Sequence, residues 1–262
     1  MFGAIVGDVV GSSYERSPAK SLDFDLFRKQ SRLTDDSVLT IAVADWILNG
    51  GQLHDYFHRY VARYPYAGYG RTFENWARGN NTEPYNSWGN GSAMRVSPTA
   101  YAVDSLESVL ELAERSAEVT HNHPDGIAGA QATAGCVYLA RTGHSKQEIR
   151  EFVTAKFGYD LSRNLDDIRV SYSFDVSCAG SVPESIIAFI ESESFESAIR
   201  LAISLGGDAD TMACIAGAIA EPFYGGVPEI LRQTTRTYLA DHLQGVVDAF
   251  CSKYIIEPGI GE

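Results

Sequence analysis

Apolar residues recur at the three- and four-residue spacing of helices along almost the whole chain. The run 38–48 is apolar on most faces; Thr34 before it suits a helix N-cap, and Asn49-Gly50-Gly51 after it suits a stop. Amphipathic spacing predicts helices over 106–113 and 145–153. The segment 126–140 is rich in Ala and Gly, and its small residues Ala128, Ala132 and Gly135 allow a neighbouring helix to come close. Helical patterns continue over 183–189 and 195–205. The run 211–220 is apolar on every side, which predicts a buried helix, ended by Glu221-Pro222. Strand-like alternation is confined to Ile168-Arg169-Val170-Ser171-Tyr172. No strict repeat, low-complexity tract or linker interrupts the pattern. The prediction is an all-α globule of many helices, a single domain over residues 1–262, with functional loops at helix ends.

Composition narrows the function classes. The 262 residues are 45% hydrophobic, as in an ordinary soluble globular protein. No run approaches the roughly 18 apolar residues of a membrane span. The start, Met1-Phe2-Gly3-Ala4-Ile5-Val6-Gly7-Asp8, has no basic leader and meets an acid at once, so it reads as part of the fold and not as a signal peptide. A net charge of -13 without a basic patch argues against general nucleic-acid binding. Cys136, Cys178, Cys214 and Cys251 are too far apart for a zinc pattern and read as buried free thiols in a reducing cytoplasm.

Two acidic clusters carry the candidate chemistry: Thr34-Asp35-Asp36-Ser37 and Gly206-Gly207-Asp208-Ala209-Asp210-Thr211. Each places two carboxylates and a hydroxyl at the start of an apolar helix. For the first, taken alone, a capped helix start with acids facing the helix dipole is the favoured reading. For the second, two acids entering a buried helix need a partner, and a hard cation that favours oxygen ligands is the most economical one. Gly89-Asn90-Gly91-Ser92-Ala93-Met94-Arg95 is either a plain turn or a set of exposed N–H groups suited to a phosphate, and it lacks the lysine of a P-loop. Trp88 could stack on a ring, with packing as its default. Gly7-Asp8-Val9-Val10-Gly11 leads to Glu15, and both acids lie in an apolar neighbourhood. Thr120-His121-Asn122-His123-Pro124 could bring an imidazole to a site. His54 and His58 have helical spacing but no evident carboxylate partner, and read as a helix surface.

Taken in order, these segments resemble the ADP-ribosylglycohydrolase family. The matches are Gly3-Ala4-Ile5-Val6-Gly7-Asp8 with Gly11 and Glu15, then Thr34 to Ser37, Gly89 to Arg95, Thr120 to Pro124, and Gly206 to Thr211. The resemblance implies an orthogonal all-α fold around a binuclear centre of two Mg2+ or Mn2+ ions. Thr34, Asp35, Asp36, Asp208, Asp210 and Thr211 would be the ligands. It implies that Asn90, Gly91, Ser92, Ala93, Met94 and His121 hold the ADP-ribose diphosphate and ribose. Glu15 matches an acid that contacts the distal ribose or the metals. The implied activity is metal-dependent release of ADP-ribose from an ADP-ribosylated protein or other conjugate, with Glu15, Asp36 and Asp210 as candidate catalytic groups. Two alternatives are an all-α metal-dependent nucleotide pyrophosphohydrolase, whose typical Glu-x-x-Glu spacings are not evident, and a non-catalytic ADP-ribose binder.

Overall fold

A buried antiparallel helix pair organises the molecule, whose computed structural model describes residues 1–255. Helix α1 is Phe2–Gly11, α2 is Asp35–Asn49, α3 is Leu53–Arg63 and α4 is Arg71–Arg78. Two single turns, α5 (Gly91–Met94) and α6 (Thr99–Ala102), precede α7 (Leu106–Glu118) and the long α8 (Pro124–Arg141). After α9 (Lys146–Phe157) and α10 (Leu165–Ser171) come α11 (Cys178–Glu191), α12 (Phe195–Ser204), α13 (Ala209–Phe223), α14 (Glu229–Arg236) and α15 (Asp241–Tyr254). Among the described residues there is no strand, only an isolated bridge between Gly89 and Ser177. The molecule is therefore all-helical, as the spacing predicts.

The central pair is α1 and α13. Gly3, Gly7 and Gly11 line one face of α1 at four-residue intervals. They face Gly217, Ala213 and Ala209 in turn, which sets the two helices antiparallel. A Cβ on Gly7 would lie 2.0 Å from the Ala213 carbonyl oxygen, so only glycine permits this approach. Every residue of α1 is buried, and α13 is buried from Ala209 to Glu221. Glu221 adds a polar tie, its Oε2 accepting from the Gly3 N–H at 2.9 Å. One continuous apolar cluster, from Met1 to Phe250, surrounds the pair.

Two expectations are corrected. Residues 168–172, read as a strand, belong to α10 and its C-cap. Leu165 and Ile168 are its buried residues at i, i+3 spacing, and the Asn164 side chain caps it by accepting from Asp167 N. The second concerns Glu221-Pro222. Helix α13 continues through both to Phe223. Proline so near the end removes one N–H, and the helix ends a residue later. The stop after α2 is as expected, with Gly50 and Gly51 both at positive φ.

Candidate metal centre and cleft

Because α1 and α13 are antiparallel, the last turn of α1 meets the first turn of α13. The N-terminus of α2 joins them through Asp8. This carboxylate is fully buried, and its Oδ1 accepts from Thr34 Oγ1 at 2.6 Å. Its Oδ2 accepts from the N–H groups of Thr34 and Ser37, each at 3.1 Å, and from the Ser37 hydroxyl. Thr34 in turn caps α2, accepting from Asp36 N at 3.3 Å.

One carboxylate oxygen from each of Asp8, Asp36 and Asp210 lies within 4.8 Å of the other two. Asp36 Oδ1 is buried and has no hydrogen-bond partner among the described residues. Burial, followed by the charges of Asp8, Asp35 and Asp208, holds the Asp36 carboxyl well above the usual carboxylate range. Asp210 is raised in the same way, by burial and then by Asp36 and Asp208. Burial also raises Asp8 and Asp208, against hydrogen bonds that favour their charged forms. Half-buried Asp35 is pushed up to about 8, by burial first and then by Asp8. A cation among the carboxylates would offset this cost and keep the cluster charged at neutral pH. The all-oxygen donor set and the orphaned Asp36 Oδ1 fit a hard divalent ion. Asp8, whose oxygens already receive four donors from Thr34 and Ser37, is better suited to position those two residues, which flank Asp35 and Asp36.

The second cluster reaches the same place through a glycine-mediated turn. Gly206 has φ +68° and brings Asp208 to the start of α13. Asp208 Oδ2 accepts from Asn90 Nδ2 at 2.8 Å, which also donates to Ser181 Oγ at 3.2 Å. The Asn90 side chain therefore braces Asp208. Asp210 Oδ1 accepts from Thr211 N at 3.1 Å.

A cavity of about 640 Å³ opens over the carboxylates. Its wall includes Glu15, Thr34, Asp35, Asp36, Asp208, Asp210 and Thr211. Asn90, Gly91, Met94 and His121 line the same cavity, Asn90 in contact with Asp208. Glu15 stands on the loop after α1, 3.8 Å from the Arg32 guanidinium. Ser92 and Ala93 do not line the cavity: both are fully buried, and Ser92 Oγ donates to the Gly126 carbonyl at 2.7 Å. Trp88, expected by default to pack inside, is instead 52% exposed beside Phe174 and Val176 on the cavity wall.

Other expectations fall away from the site. His123 caps α8, its Nδ1 accepting from Asp125 N. His54 does have a carboxylate neighbour, Asp55, at 3.3 Å, and His58 meets the Asn81 carbonyl; both lie on α3. Cys136, Cys178 and Cys214 are buried thiols, and Cys251 is partly exposed. No helix among the described residues is long and apolar enough to cross a membrane. Sequence reasoning left Asp8 without a role, although a lone acid inside an otherwise apolar helical run was the available signal. It also missed Arg95, which lies buried behind the glycine-rich turn.

An all-helical fold with buried carboxylates lining a cavity of about 640 Å³ defines the class, and comparison with known proteins places the chain within it. The family model for ADP-ribosylglycohydrolase matches residues 1–256. The chain belongs to the ADP-ribosylglycohydrolase family. It is 29% identical to the ADP-ribosylhydrolase ARH3 of Homo sapiens over 318 residues, covering 90% of this chain and 88% of that protein. It is 27% identical to the ADP-ribosylarginine hydrolase Tri1 of Pseudomonas putida (strain GB-1), covering 87% of this chain and 71% of that one. A solved structure described as an ADP-ribosylglycohydrolase-related protein complex shares the fold, with a TM-score of 0.69 and 24% identity over 90% of this chain and 93% of its own.

Proposed function

We propose that this protein is a metal-dependent hydrolase that cleaves the N- or O-glycosidic bond between ADP-ribose and a modified target. The observation that carries the reading is the buried, unpartnered Asp36 Oδ1 inside a carboxylate cluster that lines a ligand-sized cleft. The family, and relatives named as hydrolases of ADP-ribosyl linkages, support the substrate class.

In this reading Thr34, Asp35, Asp36, Asp208, Asp210 and Thr211 hold two ions. Mg2+ or Mn2+, when bound, supplies Lewis acidity and neutralises the acidic cluster. Asp8 fixes Thr34 and Ser37 on either side of Asp35 and Asp36, and Asn90 fixes Asp208, so the ligands are pre-set before substrate arrives. The diphosphate lies along Asn90 to Met94 and His121, with Trp88 free to stack on the base. Asp36 or Asp210 orients a water towards C1 of the distal ribose. Glu15 gives or takes the proton. Nearby carboxylates stabilise positive charge as it develops at C1. The bond from C1 to the target atom breaks, the target atom gains a proton, and C1 gains the hydroxyl of the water. The reaction fits a protein working in the cytoplasm on ADP-ribosylated proteins.

The test is a panel of ADP-ribosyl-arginine protein, ADP-ribosyl-serine protein and O-acetyl-ADP-ribose, with and without Mg2+ or Mn2+. Intact ADP-ribose released from at least one substrate, only with metal, is expected. AMP plus ribose phosphate would instead indicate a pyrophosphohydrolase. Binding without turnover on every substrate would indicate a non-catalytic ADP-ribose binder.

A further inference from the structure

Arg95 is the largest fully buried side chain of the described residues, and its charge has no carboxylate partner among them. It follows Met94 directly at the end of α5 and forms part of the cleft wall, although solvent does not reach it. The guanidinium lies over the Phe57 ring, 4.4 Å from its centroid, with Phe73 at 6.0 Å. Nη2 donates to the Ser116 carbonyl at 3.1 Å and to Thr120 Oγ1 at 2.8 Å. Nε and Nη1 are buried and have no partner. Burial lowers the pKa to about 10, so the group is still a cation at neutral pH. A buried cation with two idle donors is costly unless an anion answers it.

Thr120 links this charge to the cleft. Its Oγ1 accepts from Arg95, and it lies 2.7 Å from His121 Nδ1. In the arrangement inferred below, the Thr120 hydroxyl gives its one hydrogen to Nδ1, which leaves the ring proton on Nε2. Nε2 faces the glycine-rich turn: a Cβ on Gly91 would sit 3.1 Å from it. Burial and the Arg95 charge keep the imidazole neutral, so it offers one directed donor.

We infer that Arg95 is the buried counter-cation for a ligand diphosphate and, through Thr120, the residue that sets His121 as a hydrogen-bond donor towards it. Arg95 is thus a positioning residue, and the inference rests on the ADP-ribose reading of the cleft.

The experiment is calorimetric binding of ADP-ribose and, separately, of Mn2+ to the full chain. Arg95→Met should weaken ADP-ribose binding by about tenfold or more, as expected for losing a desolvated charge, while Mn2+ affinity stays within about threefold. Arg95→Lys should recover most of the ADP-ribose affinity. Unchanged ADP-ribose binding in Arg95→Met, or equal loss for both ligands, would overturn the inference. A wild-type protein that bound Mn2+ but no ADP-ribose would overturn the reading beneath it as well. If Arg95→Met does not fold, 15N NMR of His121 decides the matter. The wild type should carry its proton on Nε2, and Thr120→Val should abolish that preference. A wild-type proton on Nδ1 would contradict the inference.

Discussion

The carboxylates of Asp8 and Asp36 share one cluster but use their oxygens differently. Those of Asp8 are filled by Thr34 and Ser37, whereas Asp36 keeps one oxygen without a partner. Asp36→Asn should therefore weaken Mn2+ binding by about 100-fold or more, and Asp8→Asn by about 10- to 100-fold, the range for residues that orient ligands. Isothermal calorimetry checks both. The cluster also sets a pH dependence. Asp35 moves from 3.8 to about 8 on folding, and Asp8, Asp36, Asp208 and Asp210 are raised as well. The folded chain then binds more protons than the unfolded chain between about pH 4 and 8, so these groups stabilise it at low pH and cease to do so as pH rises. Metal-depleted protein should lose Tm across that window, and the gain in Tm on adding Mn2+ should grow across it. Thermal melts at several pH values would refute this if the gain shrank as pH rose. The Thr-Asp-Asp and Asp-x-Asp-Thr clusters were legible because their residues adjoin. The role of Asp8 was not, because its partners lie 26 and 29 residues away.

Helices deliver these residues through their ends. The starts of α2 and α13 carry Asp35, Asp36 and Asp210, where acids complement the helix dipole. The close approach of α1 to α13 brings Asp8 to the same point. Gly7→Ala would drive a Cβ into the Ala213 backbone, and should cost about 3 kcal/mol or more in urea unfolding, at the upper end for overpacking. Metal binding should fall with it, since Asp8 is the next residue. Tm and Mn2+ affinity both unchanged would show that the pair is not the frame of the site. Helix periodicity revealed most long elements, and the small residues of α8 flagged its close packing. Residues 168–172 misled because β-branched Ile168 and Val170 alternate with polar residues, while the deciding signals, the Asn164 cap and the Leu165–Ile168 spacing, begin earlier.

Across the molecule, Asp36 and Asp208 are 172 residues apart, and nothing local in either cluster indicates that they meet. The resemblance to a family supplied that link, and the fold shows Asp36 and Asp210 within one carboxylate group. The separate glycine, acid and turn segments along the chain become one cleft, in which the glycine-rich turn meets the acids where Asn90 holds Asp208. The net charge of -13 is consistent with a protein whose charged partners are cations at the site and not a polyanionic duplex. The most direct test is product identity after chelation. Chelator-treated protein should release nothing from ADP-ribosylated protein, and adding back Mg2+ or Mn2+ should restore release of intact ADP-ribose. Full release by the chelated protein, or no release on any substrate once metal is restored, would contradict the account.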